Sequence, residues 1–196
     1  MRGGYMFDSF VDNDHSTGSY LVVSASQDGR RLWTVPPFAA HSTLQLEMGP
    51  RHHQGFWAVQ LDNAVRAATG PVTLVAEGLA CLAIARWAQL SPRRYVENIA
   101  NVLIFSPLTF SLAQAPLFKN LHPSPATRLP FDSVVIDDRS SPLITRVLDL
   151  VDTWGSRFVE AANVPDDWRR QPGSRLMPTR GCSDRDPVDI DILGVG

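Results

Sequence analysis

Short runs of β-branched and other apolar residues recur along the chain, with helically spaced stretches between them, and this alternation constrains the fold most. Tyr20-Leu21-Val22-Val23, Val72-Thr73-Leu74-Val75-Ala76, the NVLIF of residues 101–105 and the SVVIDD of residues 133–138 have the length of buried strands rather than helices. STLQLEM alternates apolar Leu44, Leu46 and Met48 with polar neighbours, the period of a half-exposed strand, and RFVEAA reads as a last strand. GFWAVQLDNAVRAA spaces Trp57, Leu61 and Val65 four apart, and a helix is expected over residues 79–90. SPLITRVLDLVDTWG sets Leu143, Val147, Leu150 and Trp154 on one helical face, with Ser141-Pro142 at its start and Gly155 past its end. Strands joined through helices run parallel, because each crossover must return over the sheet with the same hand. The expected fold is therefore α/β: a single-domain, three-layer α/β/α sandwich on a mostly parallel sheet.

Composition supports one domain and excludes several function classes. A chain of 196 residues, 44% hydrophobic and 19% charged, is long enough for one proper core. A formal net charge of −2 carries no general signal for nucleic acid. The longest apolar stretch, near residues 79–87, is interrupted by Arg86 and is well short of the roughly 20 residues that span a bilayer. The first residues, MRGGYMFDSFVDNDHSTGS, carry acids and glycines where a secretory signal would be apolar, so a cytoplasmic location is expected. Cys81 and Cys182 are the two cysteines, which argues against a disulfide framework or a cysteine-based metal site.

Residues 1–18 are expected to form a loose arm, residues 19–164 the domain, and residues 165–196 an extended tail. Residues 109–130, after a strand ended by Pro107, are proline-rich and without period, and read as a long surface excursion. The tail mixes Trp168, Arg169 and Arg170 with further arginines and aspartates, and is the best candidate for binding a protein partner. Arg51-His52-His53 lacks an acid or cysteine at ligand spacing, so neither a metal nor another cofactor is expected. The pairs Arg30-Arg31 and Arg93-Arg94 read as exposed charges.

The stretch LVAEGLACLAIARWA runs from strand through a small-residue turn into helix. A sharp strand-to-helix elbow needs small residues two before and two after its apex. Ala76 and Ala80 meet that need around Gly78, whereas Val75 and Leu79 around Glu77 do not. Spacing alone favours an ordinary βα turn in a doubly wound sheet. No glycine pattern for a phosphate loop is present, and Glu77 would repel an anion there.

On a wider reading, PVTLVAEGLACLAIARWA, NVLIFSPL and LPFDSVVIDDRSSPLITRVLDLVDTWGSRFVEA together resemble the small serine hydrolases of the retinoblastoma-binding-protein-9 type and their bacterial relatives. The likeness covers roughly residues 70–162, with gaps. It implies a minimal α/β-hydrolase, flavodoxin-like sheet with a pocket above its strand ends. It also implies three triad places: Gly78 for the nucleophile, Ser140-Ser141 for the acid, and Asp166, after Pro165, for the base. No histidine follows His122. Acyl transfer by serine needs a base and a partner that orients it. With Gly78, Ser141 and Asp166 in those places, the resemblance implies a hydrolase scaffold without triad chemistry, acting by binding. The pocket would be lined by Glu77, Gly78, Leu79, Ser24, Ser26, Trp33 and Ser106. Two alternatives stand beside this reading. One is an active hydrolase with a relocated set drawn from Glu77, Asp137, Asp138, His41 and His53; the other is a subunit of a larger assembly held by its tail.

Overall fold

The four central strands carry apolar residues on both faces, and the chain accordingly buries them in one parallel sheet. The computed structural model describes residues 19–25, 41–48, 55–109, 114, 117, 121 and 127–164. Its elements are β1 (Ser19–Ser24), β2 (His41–Gln45), α1 (Phe56–Ala67), β3 (Val72–Glu77), α2 (Leu79–Leu90), α3 (Arg93–Val96), β4 (Ile99–Phe105), β5 (Asp132–Asp137), α4 (Ile144–Trp154) and β6 (Arg157–Glu160), with a 3₁₀ turn over Ala161–Asn163. The sheet order is β2-β1-β3-β4-β5-β6, and every adjacent pair is parallel. The order reverses direction between β1 and β3, the place where open α/β sheets leave a crevice beyond the strand ends.

Alternation along the strands assigns the two faces. Leu21, Val23, Leu74, Ala76, Val102, Ile104 and Val135 join the main core with residues of α1, α2 and α4. Val22, Val75, Leu103, Val134 and Ile136 form a second cluster on the opposite face with Val164. Helix α2 is buried almost all round, from Leu79 to Ala88, which explains why its sequence is apolar beyond one stripe.

Several boundaries differ from the sequence expectation for local reasons. Strand β2 begins at His41 and ends at Gln45, and the buried Leu46 then donates its N–H to the Ser24 carbonyl at 2.7 Å. Helix α4 starts at Ile144 rather than at Ser141-Pro142. The residues before it are held in turns: Ser140 N–H donates to Asp138 Oδ1 at 2.8 Å, and Ser141 N–H to the Asp138 carbonyl at 3.0 Å. The excursion after β4 is not wholly on the surface. Leu121 is buried in the main core, and Leu108 and Leu117 pack against it. Arg93 and Arg94 lie on a short helix, α3, that follows Pro92, and the Arg66 and Arg94 guanidinium groups sit 5.5 and 5.0 Å from the Tyr95 ring centre. The expected arm over residues 1–18 and tail over residues 165–196 lie outside the described residues.

Helix α4 ends on Gly155 at φ 64°, where Ser156 N–H donates to the Val151 carbonyl at 2.9 Å. A Cβ there would also stand 2.7 Å from Arg128 Nε, although that side chain can yield. Gly155→Ala is expected to cost about 1 kcal/mol, read as a lower urea midpoint with an unchanged slope.

Candidate functional site

The centre of the candidate site is set by strand register. Glu77, Phe105 and Ile136 are aligned across β3, β4 and β5. One residue further along stand Gly78, Ser106 and Asp137, side by side at the C-terminal edge of the sheet. Two ladder bonds continue into this row: Gly78 N–H to the Phe105 carbonyl and Ser106 N–H to the Ile136 carbonyl, both at 3.0 Å.

Gly78 makes the sharp turn expected of an elbow. Its backbone has φ 57° and ψ −126°, and α2 begins at the next residue. Ala76 and Ala80 are fully buried on either side, so the small flanks are required by packing. A nucleophile would carry its Cβ from this turn toward the crevice. At Gly78 that Cβ would run into the carbonyl oxygen of Thr109, with the carbonyl carbon 3.5 Å away. Thr109 is held there by its N–H, which donates to the Ser106 carbonyl at 3.0 Å. Ser106 itself adopts φ 42°, a left-handed value found at no other non-glycine among the described residues. The elbow's backbone is present, and a main-chain oxygen fills the space of its side chain.

The acid place is different again. Ser140 is exposed and Ser141 half-exposed, and Ser141 Oγ accepts the Leu143 N–H at 3.3 Å as part of the turn before α4. A buried carboxylate lies instead at the end of β5. Asp137 is 7% exposed, and its Oδ1 accepts the Asp138 N–H at 2.8 Å and the Ser106 hydroxyl at 3.4 Å. Burial raises the Asp137 carboxyl above its ordinary range, against the lowering effect of those two bonds. The exposed Asp138 is lowered by hydrogen bonds from Ser140. Cys81 is fully buried one turn into α2, with Sγ 3.5 Å from the Phe105 carbonyl oxygen. Burial drives its thiol well above the usual value, and the negative charges of Glu77 and Asp137 push it the same way.

The remaining expected pocket residues separate into distinct positions. Ser24 ends β1 and is half-buried, as is Glu77 at the end of β3. Leu79 is packed in the main core at 2% exposure. Its side chain therefore supports α2 rather than an open cleft. Gln114 donates from Nε2 to the Ala25 carbonyl at 3.4 Å and brings the excursion to the end of β1. Trp57 packs against the main core, whereas Phe56 is 41% exposed. Ser26, Trp33 and Asp166 lie outside the described residues, as do His53 and the side chain of His41. The Ser106–Asp137 contact was not legible in sequence, since the two residues stand 31 apart and meet only through register. The usable signal is that each follows an apolar run, Val102–Phe105 and Val134–Ile136, directly. Among the described residues no cluster of three or more histidines, cysteines or acids could hold a metal, and no described helix is long and apolar enough to cross a membrane.

With this geometry in view, comparison with known proteins is specific about the family. The serine hydrolase family model matches residues 33–165, well over half of the chain. The chain belongs to the serine hydrolase family. Solved structures agree on the fold of this serine hydrolase family member. A protein described as a YdeN-like hydrolase from Pectobacterium atrosepticum superposes with a TM-score of 0.56 at 17% identity, covering 72% of this chain and 75% of that one. An esterase from the archaeon Pyrobaculum calidifontis gives a TM-score of 0.50 at 11% identity, covering 78% and 73% respectively. No curated protein matches the chain in the corresponding search.

Proposed function

We propose that this serine hydrolase family member is non-catalytic and works by binding, holding a small ligand in the crevice beside Gly78 or a protein partner through its tail. Among the small serine hydrolases, the retinoblastoma-binding-protein-9 type is the branch its motifs resemble, and Gly78, Ser141 and Asp166 mark a degenerate triad. The observation that carries this reading is the filled elbow. Gly78 has no side chain to attack with, and the Thr109 carbonyl occupies the volume a serine would need. Nucleophilic catalysis also needs a base between nucleophile and acid. At Ser106, the neighbouring hydroxyl, Oγ bonds the Asp137 carboxylate directly, so the base's place between the two is not built into that contact.

Labelling with a fluorophosphonate probe and turnover of p-nitrophenyl acetate and butyrate test the proposal together. The expected result is no labelled serine and ester hydrolysis indistinguishable from the protein-free rate. Stoichiometric labelling that disappears on one substitution would overturn it.

A further inference from the structure

We propose that the segment Asp186–Leu193 of this chain docks on the basic, partly apolar face formed by Arg66 on α1, Arg93 and Arg94 on α3, and Leu90 at the end of α2. Such a contact is independent of the elbow and goes beyond the binding reading above. One aromatic ring gathers the cations of this face. The Arg66 and Arg94 guanidinium groups come from different helices, yet both lie within 5.5 Å of the Tyr95 ring centre. Arg93 precedes Arg94 on α3, and all three arginines are exposed. Cations gathered on one ring repel one another, because a separation near the Debye length of about 8–10 Å screens them only in part.

Their hydrogen bonds leave that charge in place. Arg66 donates from Nε to the Asp62 main-chain carbonyl at 3.2 Å and from Nη2 to Asn63 Oδ1 at 3.1 Å, and Arg94 Nη2 donates to the Tyr95 hydroxyl at 3.4 Å. Each of these acceptors is uncharged. Among the described residues the ion pair is that of Arg139 with Glu160, and none of these three arginines pairs with a carboxylate. The acids beside them are Asp62 and Glu97, and Asp62 Oδ1 is taken by the Trp87 indole N–H at 2.7 Å. Exposed apolar surface adjoins the cations in the chain. Leu90, 66% exposed, closes α2 three residues before Arg93, and the exposed Phe56, Val59 and Arg66 share one face of α1 by their spacing.

The sequence of the tail supplies the complement. Asp186-Pro187-Val188-Asp189-Ile190-Asp191-Ile192-Leu193 carries three carboxylates, four aliphatic side chains and no lysine or arginine. Carboxylates match guanidinium groups in charge and in fork geometry, and the aliphatic residues can cover Leu90 and Val59. Residues 165–185 join this segment to the domain. They reach roughly 70 Å when extended, enough to pass around a domain with a radius of gyration of about 15 Å. Attachment to the same chain also gives the segment a high effective concentration at the face. A separate polyanion would have to approach a chain whose net charge is −2.

The test is thermolysin cleavage of the full chain at Ile190, Ile192 and Leu193, followed by mass spectrometry. Each rate is taken relative to a free peptide of residues 184–196 under the same conditions. Cleavage that samples an open form reads the docked fraction. At low salt the tail is expected to be cut roughly threefold to tenfold more slowly than the peptide, and 0.5 M sodium chloride should remove most of that protection. Arg66→Glu with Arg94→Glu should remove it at low salt, and so should Asp189→Lys with Asp191→Lys. Combining the two pairs should restore it, a rescue that loss of structure alone would not give. Equal rates for tail and peptide at low salt, or protection unchanged by either charge reversal, overturns the proposal. Protection that rises with protein concentration assigns the segment to a second copy and overturns it as well. So does an unchanged tail in the arginine reversals together with lost binding to phosphatidylserine vesicles, which makes the face a lipid surface. If the arginine reversals do not fold, the salt series and the Asp189→Lys, Asp191→Lys chain decide alone.

Discussion

Gly78→Ser produces a protein that still fails to turn over p-nitrophenyl esters and is less stable by about 2–6 kcal/mol. Two costs combine in that expectation. A non-glycine residue at φ 57° and ψ −126° sits in a sparsely populated region, at about 1–3 kcal/mol. The new Cβ must also displace the Thr109 carbonyl, and enlarging a well-packed site costs about 1–3 kcal/mol more. Active elbows accept the first cost because the surrounding packing leaves room for the side chain; here the room is taken. Against a typical domain stability of about 5–15 kcal/mol the loss is plain in a urea melt. A Gly78→Ser protein that is as stable as the natural one and hydrolyses esters would show that the turn is an active-site elbow lacking only its nucleophile.

Trp87→Ala is expected to remove about 3–5 kcal/mol, enough to leave much of the chain unfolded at ambient temperature if the natural margin is small. Trp87 is 2% exposed in the main core on α2, and its Nε1–H donates to Asp62 Oδ1 on α1 at 2.7 Å. The indole thus fills the space between two helices and ties them with one charge-assisted bond. Trp87→Phe keeps most of the volume and loses the bond, so a smaller cost of about 1.5–3 kcal/mol is expected. The pair of variants separates packing from hydrogen bonding in denaturant unfolding. Equal losses for the two would mean that the bond to Asp62 accounts for the whole effect and the volume for none.

Both predictions depend on features with unequal visibility in the sequence. The parallel α/β architecture followed from period and order, since residues such as Val72, Leu74 and Ala76 must face one layer while Val75 faces the other. Helix α2 and its elbow were visible because only small residues fit at Ala76 and Ala80. The start of α4 was misplaced by three residues, because a Ser-Pro pair reads as a helix start, whereas side-chain bonds from Asp138 and Ser141 hold those residues in turns. The excursion after β4 has no period, so nothing in its sequence showed that Leu121 would be buried.

The candidate site divides along the same line. Gly78 at the apex, without a nucleophile, is a property of the sequence and needs no coordinates. That Thr109 covers the apex, and that Ser106 meets Asp137, are properties of the tertiary structure alone. They depend on the register of three strands drawn from residues 72–137 and on a turn at Ser106, which local propensity does not encode. Sequence pattern determines which faces are apolar and where the chain must turn, because those are local matters of sterics and burial. Which polar groups share one edge of the sheet, and whether a backbone oxygen stands where a side chain once could, is decided only when distant segments pack together.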